Sequence, residues 1–209
     1  MAEYHGPKHG THRPSPALAA AICALVLIAI AVLRTFPRAS GPAQGTVTDV
    51  YDGDTVAIES AGKQFRCRLL GIDAPEMSYA GLSEEMDKIW KYASEEGRRE
   101  LAASKQAFEK WAGVMEAQAL RARDELDGMA NGKGVRLAYD TKEPLKDRYG
   151  RLLVYVTMDG TDVNAEMIRR GLAVADTRFR CDRLDDYVKL QRDAQAAQVG
   201  LWASETEGE

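Results

Sequence analysis

Asp52-Gly53 and Ala61-Gly62 divide residues 45–70 into three short β-rich runs, and this punctuation limits how the fold can begin. Val47, Asp49 and Tyr51 mark the first run, Thr55-Val56-Ala57-Ile58-Glu59 forms the second, and Phe65 to Leu70 the third. Both separators are pairs that tolerate the tight backbone reversal of a hairpin. The spacing predicts an antiparallel meander.

Beyond the meander the period changes. Met86, Ile89, Trp90 and Ala93 recur at helical spacing, and Leu101, Phe108 and Met115 extend the stripe, so residues 83–130 read as helical, with Gly97 and Gly113 dividing them into pieces. Strand character returns at Val135-Arg136-Leu137-Ala138-Tyr139 and at residues 152–158, before the Asp159-Gly160 turn. A short helix over residues 164–170 stops at Gly171, and a last helix over residues 183–197 ends before Gly200-Leu201-Trp202. No βαβ rhythm is present. The expected class is α+β, mainly β, with a small closed barrel and helices packed on it.

The N-terminal part is of a different kind. Residues 17–33 carry no charge, amide or hydroxyl, and as a helix they would span about 26 Å, near the lower limit for crossing a bilayer. Lys8 and Arg13 precede this run and Arg34 and Arg38 follow it. No small-residue cleavage pattern abuts it, so a transmembrane anchor is expected in preference to a removed signal. Residues 1–16 then form a short tail and residues 34–44 a Pro-, Gly- and Ser-containing linker. The domain runs over residues 45–203, followed by an acidic tail at 204–209. Cys67 and Cys181 are left for the domain, either as one disulfide or as two buried thiols.

The net charge is -4, and the chain is more acidic still once Lys8, Arg13, Arg34, Arg38 and Glu3 are set aside with the N-terminal segment. A basic coat for nucleic acid is excluded; any such affinity belongs to a local site. Two acidic clusters and several arginines supply one: Asp52-Gly53-Asp54-Thr55, then Arg68 with Asp73-Ala74-Pro75-Glu76, then Asp147-Arg148-Tyr149-Gly150-Arg151. Asp54 and Asp73 are oxygen donors suited to a hard cation, and few carboxylates completed by a backbone carbonyl and waters suit calcium. Taken singly, Asp54 is also a turn former, Asp73 a loop cap and Arg68 an outward strand residue in the alternation Gln64, Arg66, Arg68.

The order of these pieces, with Val163-Asn164, Gly171-Leu172-Ala173 and the closing Gly200-Leu201-Trp202, resembles the staphylococcal nuclease family over residues 45–202. The resemblance implies a five-stranded OB-fold barrel with three helices. It also implies a calcium-dependent phosphodiesterase that acts on DNA and RNA and leaves 3′-phosphate ends. By the same resemblance Asp54, Asp73 and the carbonyl of Ala74 are metal ligands, and Glu76 is the general base or orienter of the attacking water. Arg68 and Arg151 clamp the phosphate, and Arg148 and Tyr149 match a Lys-Tyr pair near a terminal phosphate.

The chain departs from the family pattern at three places. Ala74 stands for the usual Thr, and Thr177 and Phe179 stand where two tyrosines meet the substrate, leaving Phe179 to stack on a base. Residues 77–111 form an insertion that is a lid, a partner-binding helical hairpin or a tolerated surface addition. The expected protein is a monomeric nuclease anchored in the membrane, with its domain on the extracytoplasmic side where calcium is plentiful, or secreted after cleavage. The other function class is an inactive binding module on the same barrel.

Overall fold

The computed structural model describes residues 41–203 and Leu25. The apolar run at 17–33 and the tail at 204–209 lie outside the described residues, Leu25 apart, and among the described residues no helix is long and apolar enough to cross a membrane.

Eight strands follow in chain order: β1 (Gln44–Asp52), β2 (Thr55–Ser60), β3 (Lys63–Leu69), β4 (Ile72–Asp73), β5 (Gly134–Ala138), β6 (Leu152–Met158), β7 (Thr161–Asp162) and β8 (Val174–Ala175). The helices are α1 (Ala80–Tyr92), α2 (Glu95–Ala130), α3 (Val163–Arg169) and α4 (Leu184–Ala196), with a 3-10 turn at Gly200–Trp202. The meander β1-β2-β3 is antiparallel, β5 joins β1, β6 joins β5, and a parallel pairing of β3 with β6 closes a five-stranded barrel. Alternation decides which side chains fill it. Val47, Val50, Val56, Ile58, Cys67, Leu69, Val154 and Val156 are buried in one cluster. Register shifts in β1 between Val47 and Asp49 and between Val50 and Asp52 bend the strand, as closure of so small a barrel requires.

The helices α2, α3 and α4 cover the barrel through small or apolar faces. α2 buries Ala119, Ala122, Leu126 and Ala130, and α3 buries Met167 and Ile168. Asn164 on α3 is fully buried yet satisfied: its amide oxygen accepts from Val156 N–H at 3.1 Å, and its amide nitrogen donates to the carbonyls of Leu70 at 3.0 Å and Val154 at 3.2 Å. One side chain thus ties α3, β6 and the segment after β3 together. Gly171 and Gly200 both have positive φ, and their backbones touch. A β-carbon on Gly171 would lie 2.2 Å from the Val199 carbonyl oxygen, and Leu201 N–H donates to Gly171 at 2.8 Å. This contact gives the Gly171-Leu-Ala and Gly200-Leu-Trp stretches a common packing reason.

One expectation needs correction. Gly97 and Gly113 do not divide the helical region, which breaks instead at Ala93 and Ser94; Ala93 is extended, and the Ser94 hydroxyl caps α2 by accepting from Gly97 N–H at 3.1 Å. Gly97 falls in the first turn, where the cap satisfies it. Gly113 sits in the interior of α2, where a single glycine costs about 1 kcal/mol, too little to end so long a helix. Residue 111, the expected end of the insertion, accordingly lies inside a continuous helix. Cys67 and Cys181 are both free and buried, and burial pushes the Cys67 thiol up to about 12, which keeps it neutral.

Candidate active site

The site grows out of three turns that the barrel holds at one end. After β1, Asp52 Oδ1 accepts the Asp54 N–H at 3.0 Å, so the Asp-Gly-Asp turn fixes itself and sends Asp54 inward, where it is 7% exposed. Asp54 is then held on both oxygens. Thr55 Oγ1 donates to Oδ1 at 3.0 Å and Ala74 N–H donates to Oδ2 at 2.9 Å. This approach depends on Gly53, because a β-carbon there would fall 2.6 Å from Ala74 Cβ and 2.8 Å from Ala122 Cβ. The same glycine therefore lets α2 pack down beside the Asp54 and Ala74 loops.

Asp73 ends β4, which pairs with β8 through Ile72 and Ala175 and through Asp73 and Val174. Between the two carboxylates lies Arg68, from β3, 6% exposed. Its Nη2 donates to Asp73 Oδ1 at 2.7 Å and its Nη1 is in ion-pair contact with Asp54 Oδ2. That contact is charge against charge; the buried Nη1 makes no hydrogen bond of acceptable geometry. Burial lowers the Arg68 pKa, opposed by Asp73 and reinforced by the nearby Arg151. Two carboxylates and a partly unsatisfied guanidinium thus meet at one point. The carboxylates are oxygen-only donors, which fits a hard divalent cation, and no group of three or more acidic, His or Cys side chains is placed to hold one among the described residues. A cation here would draw its remaining ligands from backbone, water and phosphate.

The third turn carries Arg151. Asp147 Oδ1 accepts the N–H groups of Tyr149 at 2.9 Å and Arg151 at 3.0 Å, and its Oδ2 accepts Arg151 Nε at 2.7 Å. Burial pushes the Asp147 carboxyl up and these bonds push it further down, so its pKa lies below the usual carboxylate value. Arg151 Nη1 reaches Thr55 Oγ1 at 3.3 Å. Thr55 therefore links the third turn to Asp54. Tyr149, 67% exposed, lies beneath two cations, with the guanidinium carbons of Arg148 and Arg151 at 4.8 and 5.5 Å from its ring centre.

Glu76 is exposed, and its carboxylate makes no hydrogen bond or ion pair among the described residues. Its backbone N–H donates to Tyr79 Oη at 3.3 Å. Phe179 is half-buried against the core, and Arg178, which sequence reasoning passed over, reaches Asp73 from the same loop. Arg178 Nη2 lies 2.9 Å from Asp73 Oδ2, while Nε and Nη2 each donate at 2.8 Å to the two oxygens of the buried Asp176. That carboxylate raises the Arg178 pKa, with Asp73 adding to it.

A family model described as "Staphylococcal nuclease homologue" matches residues 66–204. The chain belongs to the staphylococcal nuclease family. The match includes Arg68, Asp73, Glu76, Arg148, Tyr149 and Arg151, while the Asp54 turn precedes it. Among relatives, a thermonuclease of Staphylococcus intermedius is 29% identical over 88% of this chain and 93% of its own length. An "Uncharacterized endonuclease" of Escherichia coli is 28% identical over 81% of this chain and 83% of its own. An uncharacterized protein of Methanocaldococcus jannaschii is 28% identical over 76% and 70%. Within this family the closed mixed barrel is the expected frame. Thr55 and Arg178 are further members of the cluster. Thr55 stands in the Asp-Gly-Asp-Thr stretch, and Arg178 was signalled only by the Asp176-x-Arg178 spacing, whose meaning depends on β8 lying beside β4.

Proposed function

We propose that this chain is a calcium-dependent nuclease that hydrolyses phosphodiester bonds of DNA, RNA or both and leaves 3′-phosphate ends. The observation that carries the reading is the junction of Asp54, Asp73 and Arg68, joined through Thr55 to Arg151. Asp54, Asp73 and the carbonyl of Ala74 are the groups that would hold calcium, whose chemistry is to withdraw charge from a phosphate oxygen. Arg68 and Arg151 bind the non-bridging oxygens and stabilise the charge that gathers there as phosphorus becomes five-coordinate. Glu76 takes a proton from water as its oxygen bonds to phosphorus. The bond to the 5′ oxygen breaks, that oxygen gains a proton, and the phosphate stays on the 3′ side. Arg148 and Tyr149 bind the phosphate at the end of the bound nucleotide.

The other reading, a nucleic-acid-binding module without turnover, is disfavoured by the presence together of Asp54, Asp73, Glu76, Arg68 and Arg151, since binding alone has no chemical reason to keep all five. The test is digestion of single-stranded and plasmid DNA by the full-length protein with calcium or chelator, beside Glu76→Gln and Arg68→Ala. Losses of about 100-fold or more in each variant are expected. If the unmutated protein with calcium is no faster than the variants, the binding module takes its place. Anchoring through residues 17–33 with the domain outside suits the reading, because an open calcium site fills at extracellular concentrations of about 0.1–1 mM. Protection of the domain from protease added to spheroplasts would refute that orientation.

A further inference from the structure

The stretch after Glu76 runs directly into an aromatic cluster that the reaction above does not use. Tyr79 accepts the Glu76 N–H through its hydroxyl, and its own N–H donates at 3.0 Å to Glu116 on α2. Its ring meets Trp111 with centres 4.8 Å apart, and Trp111 meets Phe108 at 5.8 Å. Tyr79 and Phe108 are half-buried, whereas Trp111 is 45% exposed.

Helix phase says where Trp111 faces. It precedes Ala122 by eleven residues, three turns of α2, which returns it to within about 20° of the same face and about 16 Å further along the axis. Ala122 is the residue that packs beside Gly53 and Ala74. The stripe Phe108, Trp111 and Met115 therefore continues the core-covering stripe Ala119, Ala122 and Leu126 beyond the barrel rim, on the side of the Asp73–Glu76 loop. Below the rim this stripe covers the barrel. Above it, the indole covers Tyr79 and leaves a large part of its surface to solvent.

We infer that Trp111, backed by Tyr79 and Phe108, is a nucleobase-stacking subsite that grips an unpaired base of the substrate strand beside the scissile phosphate. The inference rests on the nuclease reading and names the part of the substrate that the insertion recognises. Three features select a base as occupant. The platform continues from the candidate general base through a hydrogen bond. Glu116, whose carboxylate accepts the Tyr79 N–H at the foot of the platform, opposes a phosphate there, but an uncharged ring face meets no such opposition. An acidic chain has few phosphate contacts to offer, and stacking extends its grip without charge. Within a duplex the base faces are already stacked, so the subsite favours single strands.

The test uses the full-length protein with Trp111→Ala and Trp111→Tyr. Binding of a fluorescein-labelled oligothymidylate of about 12 nucleotides is followed by anisotropy in chelator. Hydrolysis of the unlabelled oligonucleotide and of bis(p-nitrophenyl) phosphate is followed with calcium. Trp111→Ala is expected to weaken binding and raise KM for the oligonucleotide about 10-fold, with kcat and hydrolysis of the small diester unchanged; Trp111→Tyr restores most of the loss. Unchanged oligonucleotide binding and KM overturn the subsite and leave Trp111 as a surface for a protein partner. An equal loss on both substrates also overturns it, in favour of a structural role. If the unmutated protein hydrolyses neither substrate, the nuclease reading falls, and the anisotropy decides the subsite alone: absent binding, or binding unaltered by Trp111→Ala, overturns it.

Discussion

Arg68 carries more of the site than the clamp role proposed for it requires, because it is also the counter-charge for two carboxylates, one of them buried. Truncation to alanine leaves Asp54 without its ion-pair partner in a place that water barely reaches. Removing one member of such a pair destabilises by about 3–5 kcal/mol. Urea unfolding of Arg68→Ala in chelator is expected to show a loss of that order, and calcium to restore part of it by supplying positive charge to the same oxygens. A loss of similar size with and without calcium would separate Asp54 and Asp73 from metal binding. Asp147 gives a pH signature. Its folded-state pKa lies below the unfolded one, so it stabilises the fold at neutral pH, and that contribution disappears as pH falls through the folded-state value. Unfolding free energies measured from about pH 6 down to about pH 2 should therefore fall less steeply for Asp147→Asn than for the unmutated protein in the acid part of the range. The same variant frees Arg151 from Asp147 Oδ2, so kcat falls with it.

Two of the three turns, those of Asp54 and Ala74, meet beside α2, and the closeness is set by atoms that are missing. A methyl at position 53 would meet Ala74 and Ala122 at distances no β-carbon tolerates. Gly53→Ala must push α2 outward or displace the Asp54 turn, at about 1–3 kcal/mol, and because Ala74 N–H holds Asp54 it lowers activity as well. Thermal unfolding and calcium-dependent cleavage measured together check this; a stability loss with full activity would mean that α2 yields and the turn does not. Such elements differ in how far they were legible. The meander was, since Asp52-Gly53 and Ala61-Gly62 are local signals and a hairpin is a local event. The course of α2 was not. Gly97 and Gly113 read as breaks, while the stripe from Ala119 to Ala130 that anchors the helix gains its energy from a barrel distant in sequence. Arg178 was hidden for a related reason: its place beside Asp73 follows from the β4–β8 pairing, which no local period announces.

At the scale of the whole molecule the charges decide how substrate is gathered. With 28 basic against 32 acidic residues the chain has no attractive field of its own for a polyanion. The cations that the proposed site offers to phosphate among the described residues are Arg148, Arg151 and Arg178, with Arg68 beneath them. Arg178 and Arg151 are each tethered by a carboxylate, so they are positioned before substrate arrives and lose little freedom on binding. About three phosphates neutralised on a single strand give a slope of about -2 in log affinity against log salt. Oligothymidylate binding measured at several salt concentrations in chelator is expected to follow that slope. Trp111→Ala should shift the line down without tilting it, because stacking releases no counterions, whereas Arg178→Ala should flatten it by about 0.7. A slope much steeper than -2 in the unmutated protein would require a wider basic surface than the acidic composition allows. In that case phosphate contacts, and not the aromatic platform, would extend the grip on the strand.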